Sequence, residues 1–260
     1  MAQDLHTTSY GENGSSVVFC HGLFGQGRNW TQVAKALQPD HRTLLVDLPQ
    51  HGRSPWSPEF DYLAMADQVA GLLSSDDPVS LVGHSMGGKV AMLLALRHPE
   101  LVERLCVVDV APVAYRHAHV FGRFVAAMRS VDLAALERRG EADERMQEAV
   151  PDPAVRGFLL QNLRRDGDGW RWQMNLEVLG DSLAEIGDWP EDGLAGTTPY
   201  DGPVLWVAGA DSDYVRDEYD GAMARWFPRK RLVTVKGAGH WVHSEQPEVF
   251  LAILRRFVDS

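Results

Sequence analysis

The sequence predicts an α/β protein: a mostly parallel central sheet flanked by helices, with a helical lid inserted before the last strands. Three observations predict it. Short apolar, β-branched runs alternate with helical patterns through the first 111 residues, the order that builds a parallel sheet. After Pro112 the β signals stop, and Ala, Leu, Arg and Glu recur at helical spacing to about residue 190. Strands then return near the C-terminus. At 260 residues and 45% hydrophobic content, the chain is long enough to bury one large core.

Taken in order, strands are expected at residues 16–20, 42–46, 79–82 and 105–108, where Val, Leu and Phe cluster between turn residues. Helices are expected at 30–37, 62–73 and 86–97 from their apolar spacing. Inside the insertion, helical patterns fall at 121–128, 133–138, 141–149 and 155–163. Pro112 and the Gly, Pro and Thr of residues 193–203 mark its edges. Residues 112–198 therefore read as a lid over the carboxyl ends of the strands, where open α/β sheets bind ligands. Residues 1–111 and 199–260 form the core. Trp170, Arg171, Trp172 and Met174 fit either the packed interior of the lid or an apolar pocket wall. Strands at 204–208 and 232–235 and a helix at 247–257 close the fold.

The formal net charge of −11 disfavours nucleic acid as a partner. Cys20 and Cys106 sit in apolar strand-like runs and read as small buried hydrophobes rather than a disulfide or metal pair. The opening residues lack a basic segment followed by an apolar one, and no stretch approaches a membrane span. A soluble cytoplasmic protein without cofactor or metal is expected.

Residues 83–88 read Gly-His-Ser-Met-Gly-Gly, between the strand at 79–82 and the helix at 86–97. That context marks Ser85 as a nucleophile on a sharp strand-to-helix turn, with glycines removing Cβ atoms that would clash. A serine hydroxyl needs a base. Gly237-Ala238-Gly239-His240-Trp241-Val242-His243 follows the last strand, and its glycines favour His240 over His243. His98, before Pro99, and His117 and His119, at the start of the lid, have no metal-ligand pattern around them. Acyl chemistry also needs N–H donors for an oxyanion. The glycine-rich turn after the first strand, His21-Gly22-Leu23-Phe24-Gly25, offers Leu23 or, next to it, Phe24. Met86 supplies the second donor. His21 and His84 flank these turns and are read mainly as structural. Lys89 and Glu245 are read as solvated or loop-pinning.

These motifs, with Asp47-Leu48-Pro49-Gln50-His51-Gly52-Arg53-Ser54, resemble the α/β-hydrolase superfamily. Within it the chain looks most like the bacterial YbfF-type esterases and their mitochondrial abhydrolase relatives, from about Val17 to the C-terminus. The resemblance implies the fold, a Ser-His-acid triad and activity on short acyl esters. It also implies that Asp47 and Gly52 serve a turn, not catalysis.

The acid has two possible sources. Most of the superfamily places it in the turn after the strand at 204–208, where the usual position falls on Ser212, between Asp211 and Asp213. YbfF-type enzymes resemble this chain at Asp109 and are thought to use that acid, with the serine assisting. An Asp ending an apolar strand is costly to bury without a partner, which favours Asp109. Asp211 and Asp213 stay open as alternatives.

Ser85 excludes chemistry that needs an Asp nucleophile. Hydrolysis of a carboxylic ester of short to medium acyl length, or of a thioester, is the first expectation. Lactone or C–C hydrolysis, perhydrolysis, a lyase step on the menaquinone route and a non-catalytic receptor use the same fold. Trp241, Phe24 and His84 are the expected substrate contacts, and the partner is a small acyl ester or thioester.

Overall fold

The computed structural model describes residues 4–115 and 119–260; His117 lies outside them. Strand β1 (Thr7–Tyr10) precedes β2 (Ser16–Cys20), α1 (Thr31–Leu37), β3 (Arg42–Val46), α2 (Tyr62–Ala70), β4 (Val79–His84), α3 (Met86–Arg97) and β5 (Val102–Val108). The segment after β5 carries α4 (His119–Arg129), α5 (Arg139–Met146), α6 (Pro153–Leu160), a hairpin of β6 (Leu163–Asp166) and β7 (Gly169–Trp172), α7 (Leu176–Asp181) and α8 (Leu183–Gly187). Then come β8 (Val204–Gly209), α9 (Asp220–Trp226), β9 (Lys230–Val235), α10 (Val242–Glu245) and α11 (Pro247–Val258).

The main sheet runs β1-β3-β2-β4-β5-β8-β9, parallel except for β1. Its alternating side chains feed two cores. Val17 and Phe19 join Trp30, Leu37, Phe250 and Leu254 under α1 and α11. Val18 and Cys20 join Met65, Val90 and Leu94 under α2 and α3. Burial on both faces is why β2 and β4 read as continuous apolar runs.

Strand order reverses around β2, which lies between β3 and β4, and that reversal opens a crevice at the carboxyl ends. Register carries the site residues to its rim. Cys20 pairs with Gly83, so the turns after β2 and β4 leave side by side. His84 pairs with Val108, so Ser85 and Asp109 emerge as neighbours.

Three expectations need correction. The β signals do not stop at Pro112: Asp166-Gly167-Asp168-Gly169 forms a tight turn with Gly167 at φ 58° and closes the β6–β7 hairpin, a turn chemistry typical of Asp-Gly. No helix forms over 133–138. There the Asp132 carboxylate captures the N–H groups of Ala134 and Ala135, while the Leu136 and Glu137 carbonyls accept from Trp170 Nε1 and Arg165. Finally, β1 was not anticipated, because an exposed edge of Thr, Thr, Ser and Tyr carries no apolar alternation.

Trp172 and Met174 are buried in the core, and Trp170 packs against it with its N–H satisfied. The packed-interior reading therefore holds for the two tryptophans and Met174, whereas Arg171 is exposed. Both cysteines are buried and free, and burial pushes the Cys20 thiol up to about 12. Among the described residues, no helix is long and apolar enough to cross a membrane.

Candidate active site

Ser85 sits between β4 and α3 at φ 53°, ψ −121°, a region L-residues avoid unless the surroundings enforce it. Crowding enforces it here. A Cβ on Gly83 would lie 2.3 Å from the Gly87 carbonyl oxygen, and one on Gly87 would lie 2.3 Å from the His21 carbonyl oxygen. The Ser85 N–H donates to Val108 O at 3.0 Å, locking the turn to β5.

His240 Nε2 lies 3.0 Å from Ser85 Oγ, and His240 Nδ1 lies 2.8 Å from Asp109 Oδ2. Asp109 is fully buried and has φ 51°. Its other oxygen accepts the Gly209 N–H at 3.0 Å, and Ser212 Oγ donates to Oδ2 at 2.5 Å. Three donors thus surround a carboxylate at the end of an apolar strand, which compensates its desolvation. Ser212 joins this group, whereas Asp211 and Asp213 are exposed and neither makes a hydrogen bond to His240. The Glu245 carboxylate pins the histidine loop by accepting from the N–H groups of Gly239 and Trp241.

In the turn after β2, one of the two candidate N–H groups is already engaged. Phe24 N–H donates to His51 Nε2 at 3.2 Å, and its carbonyl accepts from Asn162 at 2.8 Å. Phe24 is thereby spent. Among the described residues, the N–H groups of Leu23 and Met86 have no acceptor. The Asp47 carboxylate braces this turn from behind, accepting from the N–H groups of Gly27 and Arg53 at 2.7 and 2.9 Å.

Four further histidines surround the site: His21, His51 and His84 are buried and His243 is half-buried. Leu48 N–H donates to His21 Nε2, so His21 carries its proton on Nδ1 and donates to Gly22 O. His51 is fixed the same way, receiving Phe24 N–H and donating from Nδ1 to Pro49 O. His84 Nε2 donates to the His240 carbonyl at 2.8 Å, and His243 stacks on Trp30 at 4.3 Å. Burial pushes His21 down to about 4 and His51 and His243 down to about 3, and it holds His84 well below the usual imidazole range. These rings are neutral scaffold.

Two cavities meet at Ser85. One of about 30 Å³ is bordered by Phe24, His84, Phe121, Phe158, His240 and Trp241, which includes all three expected substrate contacts. The other, of about 470 Å³, is walled by Leu23, Met86, Val110, Leu183 and Ile186, with Tyr115 and Tyr219 among its polar groups.

Lys89 is pinned rather than solvated. It is 1% exposed, and its ammonium donates to the carbonyls of Gly187 and Asp188 at 2.8 and 2.5 Å, at the C-terminus of α8. Burial lowers it to about 7, while the carbonyls and the Tyr115 ring 5.0 Å away favour the charged form. Lys89→Met strands those carbonyls and is expected to cost about 2 kcal/mol, a thermal midpoint roughly 4–8 °C lower. An unchanged midpoint in a melting experiment would remove this brace from the account.

Sequence reasoning missed His51, Tyr214 and Tyr115. Tyr214 stacks on the His240 ring at 4.0 Å. Tyr115 receives the Ala111 N–H and donates to the Tyr214 carbonyl, both at 2.6 Å. His51 lay in plain view inside a recognised turn motif; the two tyrosines carry no local signal.

A serine on a strained strand-to-helix turn, a histidine after the last strand and a parallel sheet define the hydrolase class of α/β protein. The alpha/beta hydrolase fold family model matches residues 15–247, and the chain belongs to that family. It is 40% identical over 251 residues to the sn-1-specific diacylglycerol lipase ABHD11 of Mus musculus, spanning 94% of this chain and 80% of that protein. It is 34% identical over 253 residues to Esterase YbfF of Escherichia coli strain K12, spanning 95% and 94%. Among solved structures, a marine microorganism esterase matches with a TM-score of 0.92 at 32% identity, covering 98% of this chain and 99% of that one.

Proposed function

We propose that the protein is a serine carboxylesterase acting on esters of short to medium acyl chains through an acyl-enzyme on Ser85. The observation that carries this reading is the hydrogen-bonded line from Asp109 through His240 to Ser85 Oγ, with links of 2.8 and 3.0 Å. Ser85 Oγ attacks the ester carbonyl while His240 Nε2 takes its proton. Asp109 accepts the Nδ1 proton, fixes the tautomer and stabilises the imidazolium. The N–H groups of Leu23 and Met86 hold the oxyanion. His240 then protonates the departing alkoxide, activates water and returns Ser85 when the acid leaves.

Residues 112–198 serve as a cap, since Phe121, Phe158, Leu183 and Ile186 come from that segment to wall the two cavities. The larger cavity, within the range of small-molecule sites, takes the acyl chain, and its apolar walls suit one. The esterase and lipase names of the relatives support ester substrates. Thioesters follow the same steps with a thiolate as leaving group.

A fluorophosphonate probe is expected to label the wild-type protein and leave folded Ser85→Ala unlabelled. Absence of labelling on folded wild type would overturn the reading. A panel of p-nitrophenyl esters from acetate to octanoate, with thioesters and lactones alongside, then ranks the substrate classes.

A further inference from the structure

Behind the catalytic cleft lies a second concavity that the proposed chemistry does not use. A groove of about 610 Å³ opens between the turn after β2 and the β6–β7 hairpin, lined by Arg28, Arg53, Arg164, Arg165 and Arg171 with Asp47 as the one acid. It is separate from the cleft: Gly25 and Asn29 border the cavity at Ser85, whereas Gln26 and Arg28 of the same turn face the groove.

The composition makes this lining anomalous. The chain has 36 acidic residues against 25 Lys and Arg, yet here five guanidiniums meet one carboxylate. Asp47 already receives two backbone N–H groups. Arg171 contacts Asp166 at 3.5 Å. The other four have no carboxylate partner among the described residues. Arg28 donates to Gln161 O, Arg164 to Gln173 Oε1, and Arg165 to the carbonyls of Asp168 and Glu137. Those neutral acceptors aim the guanidiniums without cancelling their charge. Burial lowers Arg28 and Arg164, and repulsion adds to it, from Arg164 on Arg28 and from Arg139 and Arg53 on both, with Asp47 offsetting part of it at Arg28.

An anion in the groove would relieve that repulsion and meet N–H forks shaped for phosphoryl oxygens. Four unpaired guanidiniums spread over such a volume exceed what a single phosphate reaches. A polyanionic macromolecule is opposed by the net charge of −11, whereas the groove's volume is that of a small-molecule site. We propose that this groove binds a small molecule carrying two or more phosphoryl groups.

Titration calorimetry on the full chain with inorganic pyrophosphate tests it, with orthophosphate and phosphatidylglycerol vesicles as parallel arms. Saturable pyrophosphate binding, tighter than orthophosphate and weakened by salt, is expected. Arg53→Gln and Arg164→Gln should each weaken it about tenfold or more, the scale of losing a charge-assisted contact. Arg53 is exposed, so that variant should keep the wild-type unfolding midpoint. No saturable binding at millimolar pyrophosphate, or wild-type affinity in both variants, would overturn the proposal. Vesicle binding that pyrophosphate fails to displace would overturn it too, assigning the charge to a lipid surface instead.

Discussion

Asp109→Asn is expected to lower ester turnover by about 10³–10⁴, the scale of losing the correct histidine tautomer in a Ser-His-Asp triad. Local geometry makes the loss specific. The Gly209 N–H donates to Oδ1 at 3.0 Å, so an asparagine keeps its oxygen there and turns its amide NH₂ toward the place of Oδ2. That NH₂ then faces His240 Nδ1 and Ser212. A donor opposite Nδ1 forces the imidazole proton onto Nε2, where it can no longer accept from Ser85. Asp211→Asn and Asp213→Asn, on exposed positions without a contact to His240, should stay within a few-fold of wild type. The comparison is kcat/KM on p-nitrophenyl butyrate for all three variants, with circular dichroism to confirm folding. Near-wild-type turnover in Asp109→Asn together with a collapse in either of the others would move the acid to the β8 turn.

The difference between those carboxylates shows where sequence reading stops. The Ser85 turn was legible because its constraints are local: Gly83 and Gly87 are required by backbone atoms that approach within 2.3 Å of where a Cβ would be. The bounds of β2, β3 and α3 were legible because both faces of the sheet are buried and the apolar runs are sharply delimited. The acid was not fully legible. Which aspartate meets His240 depends on Val108 pairing with Val207 and on a positive φ at Asp109, neither of which a residue's neighbours dictate. The Phe24 N–H likewise finds its acceptor in His51, 27 residues away along the chain, which leaves Leu23 as the donor proposed for the oxyanion. Helix propensity at 133–138 lost to tertiary hydrogen bonds, a common override of a weak local preference. The same holds for Lys89, whose fate was decided by carbonyls nearly a hundred residues on.

Acid should unfold this protein sooner than its surface charge suggests, because four neutral histidines are built into the site. Burial depresses His21 to about 4 and His51 and His243 to about 3, with His84 also well below 6.5. In the unfolded chain each titrates near 6.5. The sign follows: between about pH 6.5 and the folded values, the unfolded state binds more protons, so stability is intact above that window and falls as pH drops through it. Each ring contributes up to about 1.4 kcal/mol per pH unit there. Four together would remove several kcal/mol by about pH 5, a large part of the 5–15 kcal/mol typical of a folded chain. Function fails along with the fold. Protonating His51 Nε2 sets N–H against the N–H of Phe24, which it now accepts at 3.2 Å, and loosens the turn that presents Leu23. Urea unfolding at pH 7.5, 6 and 5 measures the slope. His243→Phe, which keeps an aromatic ring against Trp30 and removes one of the four titrating groups, should flatten it by up to about one proton, roughly 1.4 kcal/mol per pH unit. A stability that is level from pH 7.5 to 5, or a slope untouched by His243→Phe, would contradict the neutral-histidine scaffold.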